Sequence, residues 1–176
     1  MSGLKVVEGR PALGKEGTDM AKYYYIAYGS NLNVDQMGTR CPTARPLGTT
    51  VLKDRRLTFR GSKTGAYLTI DQCPGAETPV AVWEVSDSDI LRLDRYEGFP
   101  DFYDREEVWI AYRGLRTHRQ RTVKAFVYVM TGNRPVGIPS NGYMRTCLDG
   151  YDAFGFSRRY LFEAYTRCVE EVRNEA

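Results

Sequence analysis

The stretch YYYIAYGSNL, running from Tyr23 to Leu32, decides how the rest of the chain is read. Tyr23 to Tyr28 are aromatic, β-branched or small, the composition of a buried strand. Gly29, Ser30 and Asn31 stop that strand, and a helix-like pattern resumes at once. Asn33 is a candidate N-cap with Gln36 three residues on, and Pro42 closes the short helix by Cys41. A hairpin would need a matching second strand, so this is a strand that bends directly into a helix. Two readings of the bend compete. Gly29 could permit a sharp turn whose successive N–H groups form an anion-binding nest. Alternatively, Ser30 and Asn31 cap an ordinary strand-to-helix connection.

Working outward, Thr49–Gly61 reads as a strand, Ala66–Gln72 as another, Cys73–Thr78 as a turn, and Pro79–Val85 as a further strand. Ser86 caps a helix that carries Asp87 and Asp89 in its first turn, where the helix dipole favours negative charge, and Gly98 ends it. Phe102–Tyr112 and Arg121–Met130 form a long hairpin across a basic loop. Ser140 caps a helix with Tyr143, Met144, Cys147, Leu148 and Tyr151 on one face, broken by Gly150–Phe156. A last helix from about Arg158 sets Leu161, Tyr165, Cys168 and Val172 on one stripe. Five or six mostly short strands among interspersed helices define an α+β class and could close into a barrel.

The totals narrow the chemistry. The 176 residues suit one domain. Residues 1–21 are polar and Gly-rich without apolar period, and are read as a disordered tail or appended segment ahead of a single domain over 22–176. No run approaches the roughly 20 apolar residues of a membrane span, and the first residues lack the apolar core of a signal peptide. Four scattered cysteines (Cys41, Cys73, Cys147, Cys168) make no CxxC pair, which fits reduced thiols in the cytoplasm. A net charge of +3 is too small to imply nucleic acid as a partner. The densest basic run, Arg113 to Lys124, reads either as a solvated hairpin loop or as a phosphate contact, and lacks the interleaved aromatics of a stacking platform. One histidine, His118, sits in that loop. A Ser-His-Asp or Cys-His site would have to use it without apolar support, and no ligand spacing suggests zinc. If the chain is an enzyme, its general base is a carboxylate.

Glu97 is the carboxylate in an unusual place. At about 100° per residue it shares a narrow sector with Ile90 and Leu93, the face that should pack on the sheet. Desolvation there, and the negative helix end beside Gly98, both raise its pKa. The bland reading has Glu97 in solvent or paired with Arg95 or Arg105. Tyr143 is likewise either a core tyrosine or a binding hydroxyl.

Taken together, "YYIAYGSNL", "LDRYEGFPDFYDREEV" and "PSNGYMRTCLDGYDAFGF" resemble, in order and spacing, the γ-glutamylcyclotransferase family, which includes AIG2-like proteins. The resemblance covers about Tyr23 to Tyr160. It implies an α+β fold, a small mixed β-barrel of about five to seven strands with surrounding helices, and a reaction without cofactor or metal. A small-molecule γ-glutamyl substrate would be cyclised to 5-oxoproline with release of an amine or amino acid. By the same carry-over, Glu97 is the general acid/base. Tyr25, Ile26, Ala27, Tyr28, Gly29, Ser30 and Asn31 line the substrate loop, with Tyr143 bonding the glutamyl moiety. One of Tyr103 and Arg105, which share a side of the strand after Glu97, orients substrate. The competing function is a non-catalytic module on the same scaffold, binding a small anion or a protein.

Overall fold

Strand β1 (Lys22–Ala27), the one expected from the aromatic run, is the seam that closes the sheet. It pairs antiparallel with β3 (Gly65–Ser86) from Lys22↔Ser86 to Ala27↔Ala81, and parallel with β5 (Gln120–Met130) at Tyr25↔Phe126 and Ile26↔Val127. With β2 (Arg45–Ser62) and β4 (Tyr103–Gly114), the strands form a closed barrel in the order β1-β3-β2-β4-β5. Closure satisfies backbone groups that an open edge would expose. The computed structural model describes residues 21–62 and 65–175. The tail expected over residues 1–21 falls, but for Ala21, outside the described residues.

Because β1 and β5 run parallel, their C-terminal ends open at the same end of the barrel. β4 begins at that end too, since Tyr103 pairs with Met130 of β5. The basic hairpin loop between Gly114 and Gln120 therefore lies at the far end, and Arg116, His118 and Arg119 are exposed there. Four helices surround the barrel: α1 (Val34–Arg40), α2 (Asp87–Glu97), α3 (Asn141–Ala153) and α4 (Arg159–Asn174).

Local signals place the helix ends. The Gln36 N–H donates to Asn33 Oδ1 at 3.1 Å, and the Tyr143 N–H to Ser140 Oγ at 3.2 Å. Ser86 and Asp89 form a reciprocal capping box at the start of α2. Gly98 ends α2 in the left-handed region at φ 64°, which a side chain would strain.

Three expectations are corrected. Cys73–Thr78 is no turn: β3 runs unbroken for 22 residues, so the strands number five and two of them are long. The chain absorbs Pro74 and Gly75 through a register shift opposite Lys53 and Arg55, where the Gly75 N–H donates to Asp54 Oδ1 at 2.8 Å. Helix α3 continues past Gly150 to Ala153. The buried stripe of α4 is Leu161, Ala164 and Cys168, while Tyr165 turns outward, 37% exposed.

Gly150 shows why α3 does not break where a glycine invites it. A Cβ there would lie 2.6 Å from Leu32 Cβ and 2.8 Å from the Asn33 nitrogen, so the glycine lets α3 press on the short 3-10 turn Ser30–Leu32. Gly142, on the same helix, has nothing within 4 Å of its missing Cβ. Gly150→Ala is therefore expected to destabilise the protein by about 1–3 kcal/mol through overpacking. Gly142→Ala should be neutral or stabilising by less than about 1 kcal/mol. Thermal unfolding of the two variants checks the contrast; equal melting temperatures would show that the close approach does not constrain the fold.

Candidate active site

The barrel mouth is built where three segments meet: the bend after β1, the last turn of α2, and the start of β4. Asp94 fastens α2 to the barrel. It accepts a hydrogen bond from the Tyr128 hydroxyl on β5 at 2.6 Å and faces Arg105 of β4 at 3.5 Å. One helical turn on, Glu97 is thereby set over the mouth. Arg105 is committed to this anchoring, with its guanidinium carbon 4.3 Å from the Phe99 ring centre. Of the pair on β4, it is Tyr103 that faces the cavities.

Glu97 pairs with neither Arg95 nor Arg105. Its partner is Asn31, whose Nδ2 donates to Glu97 Oε1 at 2.8 Å and to the Tyr25 hydroxyl at 2.8 Å. The Asn31 oxygen in turn accepts from the Arg40 guanidinium, which lies over the Tyr96 ring, 3.3 Å from its centre. Both protons and the oxygen of the Asn31 amide are thus engaged, and the amide is locked in one orientation. Burial pushes the Glu97 carboxyl from an ordinary 4.5 up to about 7; the Arg40 charge and the Asn31 hydrogen bond pull the other way and lose.

Two spaces that share lining residues adjoin this carboxyl. A small chamber of about 30 Å³ is lined by Tyr25, Tyr28, Gly29, Ser30, Asn31 and Tyr143, among others. That volume admits a carboxylate-sized group or a water or two. A larger cavity of about 530 Å³ opens outside it, sharing Ser30, Glu97, Tyr103 and Tyr143. Tyr103 donates to the Leu68 carbonyl at 2.7 Å, and the Leu68 N–H donates to the Tyr143 hydroxyl at 3.1 Å. The two phenols therefore clamp one peptide of β3 at the wall. Burial raises Tyr25, Tyr28, Tyr103 and Tyr143 well above the usual phenol range, so each stays neutral.

Of the residues expected at the site, Glu97, Tyr25, Tyr28, Gly29, Ser30, Asn31, Tyr103 and Tyr143 come together. Ile26 and Ala27 do not: both are wholly buried in the core and line neither space. Gly29 has φ −128°, so no left-handed turn demands it; a Cβ there would touch Leu68 and lie 3.5 Å from the Tyr143 hydroxyl, inside the small chamber. The chain then forms the 3-10 turn, and among the described residues the Ser30 and Asn31 N–H groups have no hydrogen-bond acceptor. Sequence reasoning missed Arg40, Tyr67, Tyr96, Phe102 and Arg134, and overlooked Arg95 except as a partner for Glu97. None of them belongs to a local pattern that marks a site.

The site is thus a buried carboxyl beside a Gly-Ser-Asn bend at the mouth of a closed five-strand barrel. The comparisons agree. Residues 25–145 match the family model for gamma-glutamyl cyclotransferase, AIG2-like. Human gamma-glutamylcyclotransferase is 32% identical over 152 residues, spanning 82% of this chain and 78% of that protein. The mouse protein of the same name is 28% identical over 155 residues, spanning 84% and 79%. A solved structure titled gamma-glutamyl cyclotransferase superposes with a TM-score of 0.70 at 29% identity, covering 82% of this chain and 86% of the other. YkqA of Bacillus subtilis, at 16% identity and a TM-score of 0.65, shares the fold. The chain belongs to the gamma-glutamyl cyclotransferase, AIG2-like family.

The raised pKa has a consequence for stability that needs no substrate. Glu97 binds its proton more tightly folded than unfolded, so its contribution is fully present below pH 4.5 and is lost as pH rises through about 7. At about 1.4 kcal/mol per pH unit, the loss is about 3 kcal/mol. Glu97→Gln keeps the acceptor for Asn31 and has no charge to desolvate. It should match the parent near pH 4.5 and exceed its stability by up to about 3 kcal/mol at pH 8, measured by urea unfolding across that range. A difference independent of pH would show that Glu97 is not desolvated.

Proposed function

We propose that this chain, an enzyme of the γ-glutamylcyclotransferase type, converts a γ-glutamyl amide to 5-oxoproline and a free amine with Glu97 as the proton carrier. The observation that supports this most is the Glu97 carboxyl, poised near pH 7 at the junction of the two spaces. The substrate's own α-amino nitrogen attacks its γ-carbonyl carbon and closes a five-membered ring. The amide C–N bond breaks, and no electrons are exchanged with another reactant. The attack is intramolecular, so the site need only hold the folded-back conformer with the reacting atoms aligned, which lowers the entropic part of the barrier. Ionised Glu97 takes the proton that the attacking ammonium must shed, then delivers it to the departing nitrogen.

The small chamber fits the anionic end of the glutamyl group. The unpartnered Ser30 and Asn31 N–H groups are donors for its α-carboxylate or for the oxyanion that develops on the carbonyl. Tyr143 and Tyr25 are neutral phenols in the same wall, suited to hold the glutamyl group by hydrogen bonds. The reading includes a cytoplasmic setting, which four free cysteines favour. Among the described residues, no helix is long and apolar enough to cross a membrane.

Purified protein incubated with γ-glutamyl amino acids and amines should release 5-oxoproline. Glu97→Gln, folded and stable, should lower turnover by about 10²–10⁴-fold. Undiminished turnover in that variant would remove Glu97 from the chemistry. A parent enzyme silent on every substrate would leave the scaffold as a binding module.

A further inference from the structure

Arg40 is an arginine without a carboxylate partner: it enters none of the ion pairs among the described residues. Its guanidinium donates instead to Oδ1 of Asn31, an uncharged amide that is itself buried. Three elements meet around it. Arg40 comes from the last turn of α1, Asn31 from the bend after β1, and Tyr96, whose ring carries the guanidinium, from α2. The Tyr96 hydroxyl lies 3.4 Å from Ser30 Oγ, which sets the ring against the same bend. Stacking on that ring holds the guanidinium in place, so little side-chain freedom opposes its bond to Asn31.

A side-chain amide can turn over with almost no change of shape, exchanging its oxygen for its nitrogen. As it stands, Asn31 donates to Glu97 Oε1 and to the Tyr25 hydroxyl. Turned over, it would offer both of them an oxygen. That oxygen repels an ionised Glu97 but accepts from a protonated one, so the proton would settle on Oε1, facing Asn31 and turned from the substrate. Tyr25 would donate to the same oxygen and withdraw its proton from the small chamber. A guanidinium on the Asn31 oxygen forbids this, because the turned amide would aim its own N–H groups at those of Arg40, donor against donor. Among the described residues Glu97 Oε2 makes no hydrogen bond, which leaves it as the oxygen that carries the proton. Tyr25, an acceptor from Asn31, keeps its own proton for the chamber it lines.

The other groups around Glu97 do not substitute for Arg40. Tyr25 and Tyr28 of β1, Tyr103 of β4, Tyr128 of β5 and Tyr143 of α3 are phenols that burial keeps neutral. Arg95 and Arg134 line the larger cavity with Tyr67 and Tyr96, and among the described residues neither arginine bonds to Glu97 or Asn31. Asp94, one turn back on α2, is engaged by Tyr128 and Arg105. The Arg40 charge is the one that draws the Glu97 carboxyl downward against burial. We propose that Arg40 is a positioning residue of the reaction: by holding the Asn31 amide in its donating orientation, it keeps the proton that Glu97 shuttles on Oε2, where the departing nitrogen can take it. This rests on the cyclotransferase reading and adds to it a residue that lines neither space at the mouth.

Arg40→Met keeps most of the side chain's bulk and removes its charge and its donors. Without substrate, the Glu97 carboxyl of this variant, followed by carbon-13 NMR, should titrate about one pH unit above the parent. With the γ-glutamyl compound that the parent turns over fastest, kcat at a pH above both midpoints should fall by about tenfold or more, the size of one charge-assisted hydrogen bond, while KM changes little. Arg40→Lys, which returns a charged donor to Asn31, should restore most of both. Thermal melts confirm folding before the values are compared, and Arg40→Gln takes the place of Arg40→Met if that variant does not fold. A raised midpoint with undiminished kcat at high pH would reduce Arg40 to a distant charge and overturn the proposal. An unchanged midpoint in the folded variant, or a loss carried by KM alone, overturns it equally. A parent that turns over every other way but releases no 5-oxoproline from any γ-glutamyl compound overturns the cyclotransferase reading, and the role of Arg40 in proton delivery falls with it.

Discussion

One side-chain amide holds the site together. Asn31 gives one proton to Glu97 and the other to Tyr25, and it accepts from Arg40. Through it the bend after β1 and the end of α2, 66 residues apart in sequence, become a single unit. A carboxylate at the mouth of a barrel would regain hydration by turning outward toward water. The Asn31 bond selects the inward one, and the amide cannot rotate because its oxygen is occupied by a cation. Glu97 therefore stays in place while its acidity is set by burial.

The barrel makes that arrangement possible. Parallel pairing of β1 with β5 brings the Gly-Ser-Asn bend, Tyr128 and the start of β4 to the same end. Tyr128 and Arg105 then fasten Asp94, which fixes the angle of α2. The electrostatic balance follows from opposing terms. Arg40 keeps the ionised form of Glu97 within reach, and burial keeps the proton from leaving too easily. A carboxyl fully neutralised by an ion pair would be too weak a base, and one buried with no donor would stay protonated. The combination yields a group able both to take a proton and to return it near neutral pH.

Much of this was legible in the sequence, and what was not shares a physical character. Asn33, Ser86, Ser140 and Gly98 announced the helix ends because capping is decided within a few residues. The inward face of Glu97 followed from helical spacing with Leu93. The unbroken course of β3 did not, because Pro74 and Gly75 are accommodated by a bulge in β3 opposite Asp54, whose carboxylate accepts from the Gly75 N–H. Carrying the whole loop motif over as ligand-lining reached past the two spaces at Ile26 and Ala27, which are buried in the core; a continuous motif does not by itself separate core positions from lining ones. Arg40 and Arg134 stayed hidden for a related reason. Each acts through a contact set by tertiary packing, Arg40 on Asn31 and Arg134 on Phe102, and no periodicity in the chain marks either.

The central claim is that the Glu97 carboxyl is sheltered from water in the free protein and holds its proton until near neutrality. Carbon-13 NMR of side-chain carboxyls, with Glu97→Gln used to assign the resonance, measures this directly as pH is varied. The structure predicts a titration midpoint at about 7 for Glu97. A midpoint near 4.3, the value of a glutamate in water, would contradict the account at its base.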